Sequence, residues 1–140
     1  MPDEPLITII MPTFNRANFL PEAIESVLAQ NYMNYEFLII DDGSSDNSKA
    51  VIEGYRERGN IKYLYQENSG QSVARNKGIA NAKGDFICFL DSDNRWLPNK
   101  LNATVKAIKE NPDADIIYGD VILIDEVGTE FSRSNMPRYS

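Results

Sequence analysis

Two aspartates, Asp91 and Asp93, stand one residue apart directly after the apolar run 86–90. The run is continuous rather than alternating, which is typical of a buried strand in a parallel sheet. If the segment stays extended, both carboxylates point the same way, and like charges that close repel unless a cation lies between them. The pair therefore indicates a site for a divalent cation that also binds phosphate oxygens. The alternative is a solvated loop whose aspartates cap the next helix, and this motif alone favours neither.

The rest of the chain predicts the elements that must position this pair. Strands are predicted at 6–11, 35–40, 61–65, 86–90 and 115–124, and helices from Pro21, from 46 to about 58, over 72–82 and from 96 to about 110. This alternation predicts an α/β fold with a largely parallel sheet. We expect residues 1–5 to be disordered, 6–131 to form one domain and 132–140 to be an unstructured tail. A fifth strand followed by such a tail suggests a domain that is cut short.

Polar clusters follow three of these strands, at 12–16, 41–44 and 91–94. In a right-handed wound sheet the three strand ends lie on one edge, so the clusters can line one crevice. One carboxylate of the pair Asp41 and Asp42 can accept hydrogen bonds from a base or ribose while the other is structural, and the spacing does not say which. Arg75, on a predicted helix next to the crevice, can pair with a phosphate or with these second-strand aspartates.

Composition excludes several other functions. Lys and Arg total 14 and Asp and Glu total 21, which gives a net charge of −7 and argues against nucleic acid as a partner. The chain has no histidine, so a metal must be held by oxygen, which points to Mg²⁺, Mn²⁺ or Ca²⁺. Its single cysteine, Cys88, permits no internal disulfide and fits a reducing compartment. The first strand is followed by neither a dinucleotide-binding fingerprint nor a P-loop.

Five motifs, in order, resemble those of family 2 inverting glycosyltransferases. They are the first strand and loop, 9–16; the first helix, 25–30; the second strand end, 39–46; the pair 68–70 and 74–79; and the DxD motif, 89–93. The resemblance covers residues 6 to about 125. It implies a GT-A fold, a Rossmann-like and mostly parallel sheet with flanking helices, that binds a nucleoside-diphosphate sugar, usually a UDP-sugar. The product would be a polysaccharide or glycoconjugate.

The resemblance also implies roles for residues at the nucleoside end of the donor. Pro12 and Thr13 would lie against the nucleoside. Asp42 would hydrogen-bond the base, with Asp41 beside it. Arg75 would lie near the nucleotide.

At the sugar and diphosphate end, the resemblance implies roles for the DxD residues. Asp91 would approach the ribose and the sugar, and Ser92 would belong to the same donor-binding set. Asp93, with Asp91, would hold Mn²⁺ or Mg²⁺ against the diphosphate. Asn94 stands where family members often have a further acidic residue, and an amide oxygen is a weaker metal ligand than a carboxylate.

An inverting transfer needs a carboxylate that deprotonates the acceptor hydroxyl. The late candidates Asp120, Asp125, Glu126 and Glu130 come too early to match the family's base, so we expect the base beyond Ser140 and the catalytic residue is unknown. The alternative function is a non-catalytic nucleotide-sugar-binding module. A nucleotidyltransferase ranks last, because 12–16 lacks the glycine- and lysine-rich loop that grips a triphosphate.

We expect a saccharide or lipid-linked acceptor and a cytoplasmic location, with the inner face of the membrane as the alternative. No stretch is apolar over a length that spans a bilayer, and the N-terminus lacks the features of a signal peptide. A sheet that ends early would expose an edge or an apolar face, which allows self-association into a homo-oligomer.

Overall fold

Strands and helices alternate along most of the chain, as the sequence predicts. The computed structural model describes residues 3–134, with the backbone alone at position 134. The elements are β1 (Ile7–Thr13), α1 (Leu20–Leu28), β2 (Tyr35–Asp41), α2 (Ser48–Glu53), β3 (Ile61–Tyr65), α3 (Gln71–Asn81), β4 (Phe86–Phe89), α4 (Lys100–Glu110), β5 (Val121–Ile124) and β6 (Glu130–Ser134). A single 3₁₀ turn at Arg56–Arg58 separates α2 from β3. The described residues divide into two compact units, which fall within Met1–Val105 and Lys106–Ser140.

The first unit is built on a four-stranded parallel sheet with the strand order β3-β2-β1-β4. The chain first winds outward from β1 through β2 to β3 and then returns to place β4 on the other side of β1. The direction of winding therefore reverses between β1 and β4. In sheets of this kind, a crevice opens at that point, outside the carboxyl ends of the strands.

The core of this unit lies around β1 and β2. All seven residues of β1 are buried, and so are six of the seven in β2. Both strands are continuous apolar runs, as a strand covered on both faces requires. Helix α1 begins with Pro21 in its first turn, where a proline is tolerated, and buries Leu20, Ile24 and Val27. The predicted central first strand and first helix are confirmed.

Helix α3 packs on the sheet through its smallest side chains. Ala74 is fully buried against Ile10, Leu38 and Ile40. A Cβ added at Gly78 would lie 2.6 Å from Cγ2 of Ile10, so only glycine allows the helix to come this close. Helical periodicity in the sequence predicts that larger side chains of α3 such as Val73 and Ile79 face the sheet. That prediction is wrong, since both are nearly half exposed.

Strand β4 differs from the buried strand that its apolar sequence predicts. It lies at the edge of the sheet within residues 3–134, and its burial alternates along the strand. Ile87 and Phe89 are exposed to 38% and 47%. By their pairing with Thr8 and Ile10, they lie on the sheet face that α3 covers over β1 and β2. The apolar side chains of β4 on this side of the sheet therefore form a hydrophobic face that the described residues leave uncovered.

The second unit contains the end of α4 and an antiparallel hairpin of β5 and β6. The strand predicted over 115–124 begins only at Val121. Part of the tail predicted to be unstructured, 132–134, belongs to β6, and 135–140 lies outside the described residues. A turn at 125–129 joins the two strands, because the Asp125 side chain accepts hydrogen bonds from the N–H groups of Val127 and Thr129.

The N-terminal segment is tied to the first unit from Glu4 onward, although we expected 1–5 to be disordered. The Tyr32 hydroxyl donates a 2.6 Å hydrogen bond to the carbonyl of Pro5, which is buried. The Asn34 amide donates to the carbonyl of Glu4 at 2.7 Å. Residues 1–2 lie outside the described part of the chain.

Candidate functional site

A cavity of about 400 Å³ opens at the carboxyl ends of β1, β2 and β4, where the strand order reverses. The predicted crevice shared by the three strand ends is therefore present. Its lining combines residues from all three ends with the loop before α3: Pro12, Thr13, Phe14, Arg16, Asp42, Asn68, Gly70, Gln71, Asp91, Ser92 and Asp93.

Thr13 ends the central strand at the base of this cavity. Its side chain is buried, yet its Oγ1 has no hydrogen-bond partner among residues 3–134. A buried hydroxyl without a partner is costly, and such groups are rare in folded proteins. Because Thr13 lines the cavity, a ligand that reaches this hydroxyl would supply the missing hydrogen bond.

Asn15 ties the loop after β1 to the loop after β2. It adopts a left-handed backbone conformation, with φ 50°, which asparagine tolerates better than most residues. Its Oδ1 accepts a 2.8 Å hydrogen bond from the Ser45 N–H, and its own N–H donates to the Ser44 hydroxyl at 2.9 Å. We had not singled out this role, although an asparagine in a polar loop after a strand is a signal for it.

Asp41 is buried and does not line the cavity. Its Oδ1 accepts a hydrogen bond from the Ser44 N–H at 2.9 Å, and its Oδ2 accepts one from the Tyr63 hydroxyl at 2.7 Å. Burial and then the hydrogen bond to Asp41 raise the pKa of Tyr63. Of the two neighbouring aspartates, only Asp42 lines the cavity. Asp41 holds the turn that follows β2.

Asp42 lines the cavity, but its carboxylate is engaged by the protein. Oδ1 accepts hydrogen bonds from Gln66 Nε2 at 2.7 Å and from the Ser69 N–H at 2.8 Å, and Oδ2 accepts one from the Gly70 N–H at 3.0 Å. Burial opposes ionisation of this carboxyl, but these three hydrogen bonds outweigh it, so the pKa of Asp42 lies below its ordinary value. Asp42 anchors the loop that leads into α3.

Arg75 does not itself line the cavity. It pairs through Nη2 with Oδ1 of Asp91 at 2.8 Å, and both side chains are partly exposed. The sequence had offered a phosphate or the second-strand aspartates as partners, and the second of these is wrong. The carboxylates of Asp41 and Asp42 instead accept the hydrogen bonds described above. One oxygen of Asp91 is thereby neutralised.

Asp91, Ser92 and Asp93 form a turn rather than a straight continuation of β4, since the Asn94 N–H donates to the Asp91 carbonyl at 3.0 Å. Strand alternation therefore does not align the two carboxylates, but both line the same cavity. Ser92 is buried, and Asp93 is exposed. Within residues 3–134, no hydrogen bond or ion pair engages the Asp93 carboxylate.

The residues of this turn fit a divalent cation of a particular kind. No cluster of three or more metal-ligating acidic or sulfur side chains exists in the described part of the chain. An all-protein cage is therefore not built here. Two carboxylates of which one is unpaired suit Mg²⁺ or Mn²⁺, which proteins often bind through one or two carboxylates together with substrate phosphates.

The fold and the cavity define an α/β protein of the doubly wound type with a crevice at the carboxyl ends of its strands, and comparison with known proteins gives its family. The model of the family described as "Glycosyl transferase family 2" matches residues 8–140, so the chain belongs to this family. The resemblance that the sequence motifs suggested is confirmed.

Individual relatives agree with this assignment. An uncharacterized glycosyltransferase of Rickettsia felis is 40% identical over 126 residues, which are 89% of this chain and 21% of that protein. A putative teichuronic acid biosynthesis glycosyltransferase, TuaG of Bacillus subtilis, is 36% identical over 110 residues, which are 76% of this chain and 43% of that protein. The chain thus spans less than half the length of these two curated relatives.

Solved structures confirm the GT-A fold. S. aureus TarS in complex with UDP-GlcNAc superposes with a TM-score of 0.73 and 29% identity, over 76% of this chain and 32% of that one. The mannosyltransferase PcManGT of Pyrobaculum calidifontis, in complex with GDP-Man and Mn²⁺, gives a TM-score of 0.70 at 23% identity, over 88% of this chain and 36% of that one. None of the helices in the described part has the length and hydrophobicity needed to cross a bilayer.

Proposed function

We propose that this chain binds a nucleoside-diphosphate sugar, with a UDP-sugar favoured, as the donor part of a metal-dependent inverting glycosyltransferase. The observation that carries the proposal is the cavity itself. It places a buried hydroxyl without a partner, Thr13 Oγ1, beside the acidic turn Asp91–Asp93 at the reversal of the strand order. A donor of this class needs one region for a base and one for a charged diphosphate.

The strand order supports a proposal for where these regions lie. β2 and β4 flank β1, so the Asp42 loop and the Asp91–Asp93 turn lie on opposite sides of Thr13. The nucleoside would lie by Pro12, Thr13 and the loop that Asp42 anchors, and the diphosphate and sugar would lie toward the turn. Asp42 would contact the base through the loop it holds, because its own oxygens already accept three hydrogen bonds.

Charge makes a cation necessary on the diphosphate side. A diphosphate beside Asp91 and Asp93 would be repelled by both carboxylates, and Arg75 neutralises only part of this charge. Asp93, with the second oxygen of Asp91, would hold Mn²⁺ or Mg²⁺. When bound, such an ion neutralises the departing nucleoside diphosphate. Arg16, which also lines the cavity, supplies a further positive charge.

The test is calorimetric titration of the chain with UDP, GDP and their sugars, with Mn²⁺ and with a chelator. We expect the chelator and Asp93→Ala each to weaken UDP binding by about tenfold or more, since a charge-assisted contact contributes roughly 1.5–3 kcal/mol. Glu57→Ala is the control, because it removes the same charge from an exposed 3₁₀ turn away from the cavity. UDP affinity that is unchanged in Asp93→Ala and by chelation would refute the metal role.

The alternative, a nucleotide-sugar-binding module without chemistry, is favoured by the state of the cavity carboxylates. Asp42 accepts three hydrogen bonds and Asp91 pairs with Arg75, so neither is available as a general base. Asp93 is assigned to the metal, and the base remains unassigned. We therefore expect this chain to bind the donor but to transfer little sugar. Robust transfer from the donor to a saccharide or lipid-linked acceptor would overturn that expectation.

Biological context follows the relatives. A role in polysaccharide synthesis agrees with the putative teichuronic acid function of TuaG. A cytoplasmic donor pool is the setting that we propose for the reaction. The same titration, extended to a panel of donors, distinguishes the nucleotide and the sugar that the chain prefers.

A further inference from the structure

Helix α1 presents a row of polar side chains to the segment that follows the Asp91–Asp93 turn. Glu22, Ser26 and Gln30 are spaced four residues apart, which places them on one side of the helix and its C-terminal extension. Each contacts the segment 95–101, and we call these three residues the α1 polar row. Glu22 forms an ion pair with Arg95.

Ser26 and Gln30 contact the backbone of that segment. The Ser26 hydroxyl accepts a 3.1 Å hydrogen bond from the Trp96 N–H. Gln30 Nε2 donates to the Leu97 carbonyl at 2.8 Å, and Gln30 Oε1 accepts from the Leu101 N–H at 2.9 Å. Leu101 lies in the first turn of α4, whose N–H groups lack partners within the helix, so Gln30 caps this helix from a distance in sequence of 71 residues.

Gln30 is suited to a fixed position. Its side chain is only 3% exposed, and a third hydrogen bond, from Nε2 to the Ser26 carbonyl at 3.0 Å, orients the amide. A buried amide with both ends satisfied is rigid, and removing it leaves the Leu97 carbonyl and the Leu101 N–H without this partner.

The Asp91–Asp93 turn lies between two anchored points. Before it, the Leu90 N–H donates to the Ile10 carbonyl at 3.0 Å, which fixes the end of β4 to the central strand. After it, the α1 polar row holds the chain from Arg95 onward. Residues 93–95 between these points are exposed, so packing around them contributes little to their position. The α1 polar row is therefore the anchor that follows Asp93 along the chain.

We propose that Ser26 and Gln30 are positioning residues for the metal and diphosphate side of the donor site, acting through the segment 95–101 on Asp93. The inference rests on the proposed donor-binding function and adds residues outside the cavity to it. Neither residue touches the cavity lining through its own hydrogen bonds, so the effect reaches the ligand only through the backbone between Asp93 and Trp96.

The test uses Trp96, the only tryptophan of the chain, as a reporter inside the segment. Ser26→Ala and Gln30→Met remove the contacts, Ser26→Thr retains the hydroxyl, and Glu25→Gln is the control, because Glu25 is on the same helix but pairs with Arg58. For each variant, UDP affinity is measured by calorimetry with Mn²⁺ and with a chelator. Trp96 emission is recorded before ligand is added, and thermal unfolding shows the temperature range in which the variant is folded.

We expect Ser26→Ala to lower Mn²⁺-dependent UDP affinity by about fivefold and Gln30→Met by tenfold or more, since small displacements of a positioned group are costly. Affinity in chelator should change little, because the α1 polar row acts on the metal side. Trp96 emission should shift in both variants, and Ser26→Thr should restore the wild-type affinity and emission. Glu25→Gln should change neither.

The outcomes separate this inference from the function it rests on. If the wild-type chain binds UDP with Mn²⁺ and folded Ser26→Ala and Gln30→Met bind equally well, the positioning role is overturned and the donor site stands. A loss of affinity that is the same with Mn²⁺ and with chelator also overturns it, because it indicates a general structural effect. If Gln30→Met does not fold, Ser26→Ala with Ser26→Thr decides. If the wild-type chain binds no nucleotide, the proposed function and this inference fail together.

Discussion

Asp42 is a buried carboxylate whose two oxygens accept three hydrogen bonds from the loop 66–70, so its charge serves the protein before any ligand arrives. The loop after β2 lies close to the loop 66–70, since a Cβ on Gly43 would lie 2.8 Å from the Asn68 nitrogen. Gly43 has φ 83°, which a side chain would strain. At the scale of single residues, Asp42 therefore holds the loop 66–70 in place, and Gly43 allows that loop to come close.

Replacing Asp42 by asparagine should destabilise the fold and the cavity wall. The amide keeps a single acceptor oxygen and turns an NH₂ group toward the N–H donors of the loop. We expect a loss of about 1–3 kcal/mol in the free energy of unfolding, because buried donors lose their partner. Urea unfolding at pH 7 measures this loss, and Asp113→Asn, at an exposed position in the second unit, is the control. Unchanged stability would show that the three hydrogen bonds contribute nothing net.

The same carboxylate predicts how stability depends on pH. Its pKa in the folded protein lies below the ordinary value of 3.8, so the folded state favours the ionised form. This contribution is complete above the pKa of the unfolded chain and is lost as pH falls through the lower folded pKa. Stability should therefore fall on acidification below about pH 4, and less steeply in Asp42→Asn. Unfolding curves measured from pH 6 to pH 3 would contradict this if both proteins show the same slope.

Thr13 offers a separation of stability from binding. Thr13→Val replaces a buried hydroxyl without a partner by a methyl group of the same shape, so the free protein should be unchanged or more stable by up to about 1 kcal/mol. UDP affinity should fall by about two- to tenfold if the hydroxyl bonds the donor. Thr13→Ser, which keeps the hydroxyl, should bind nearly as the wild type. Equal affinity in Thr13→Val would remove Thr13 from the donor site.

Residue types and their place on strand ends predict part of the cavity lining. Pro12, Thr13, Asp42 and the Asp91–Asp93 turn line it, whereas Asp41 and Arg75 do not. Pairing was harder to predict, because it depends on which carboxylates other groups already engage. Asp41 and Asp42 accept hydrogen bonds from other residues, and Arg75 pairs with Asp91.

At the scale of elements, α3 packs closely on β1 through its smallest residues. Gly78 lies directly over Ile10, and Ala74 lies one turn earlier on the same face. Arg75 follows Ala74, so the height of the helix above the sheet also places the guanidinium that pairs with Asp91. A helix that contacts the sheet through small residues lies close to it, so a larger side chain at the contact destabilises the packing.

Gly78→Ala should therefore destabilise the protein, although alanine is the better helix former by about 1 kcal/mol. The added Cβ would come within 2.6 Å of Ile10, and overpacking of this kind costs about 1–3 kcal/mol. Ala80→Gly, at an exposed position of the same helix, should cost about 1 kcal/mol through helix propensity alone. Adding Ile10→Val should not recover this loss, because valine keeps the Cγ2 that the added Cβ would meet, and a stabilised Gly78→Ala would refute the close packing. Chemical denaturation measures all three.

Hydrophobic periodicity predicted the positions of the elements in the chain more accurately than which of their faces are buried. β1 and β2 are continuous apolar runs, and both are central strands. β4 has the same kind of sequence but lies at the edge among the described strands. The sequence did not predict this position, because an apolar run does not show which neighbouring elements cover a strand. In α3 the buried face consists of Ala74 and Gly78, which have too little apolar surface to mark it in the sequence.

For the molecule as a whole, net charge and uncovered apolar surface act against each other. Ile87 and Phe89 expose an apolar face on the strand at the edge of the described sheet, and such edges favour pairing with another chain. The net charge of −7 repels a second copy at low ionic strength. A higher salt concentration shortens the distance over which this repulsion acts, whereas salt does not weaken contact between apolar surfaces.

We therefore expect self-association that strengthens with protein concentration and with salt, and that depends on β4. Sedimentation velocity measures this self-association between about 50 mM and 500 mM salt. Over this range the electrostatic screening length becomes several times shorter. Ile87→Thr with Phe89→Thr, which places β-branched residues at both positions and removes apolar surface, should shift the protein toward the monomer. Val127→Thr, at an exposed apolar position in the second unit, is the matched control. A monomer at every concentration and salt, or association unaffected by the β4 variant, would show that this apolar face does not join two copies of the chain.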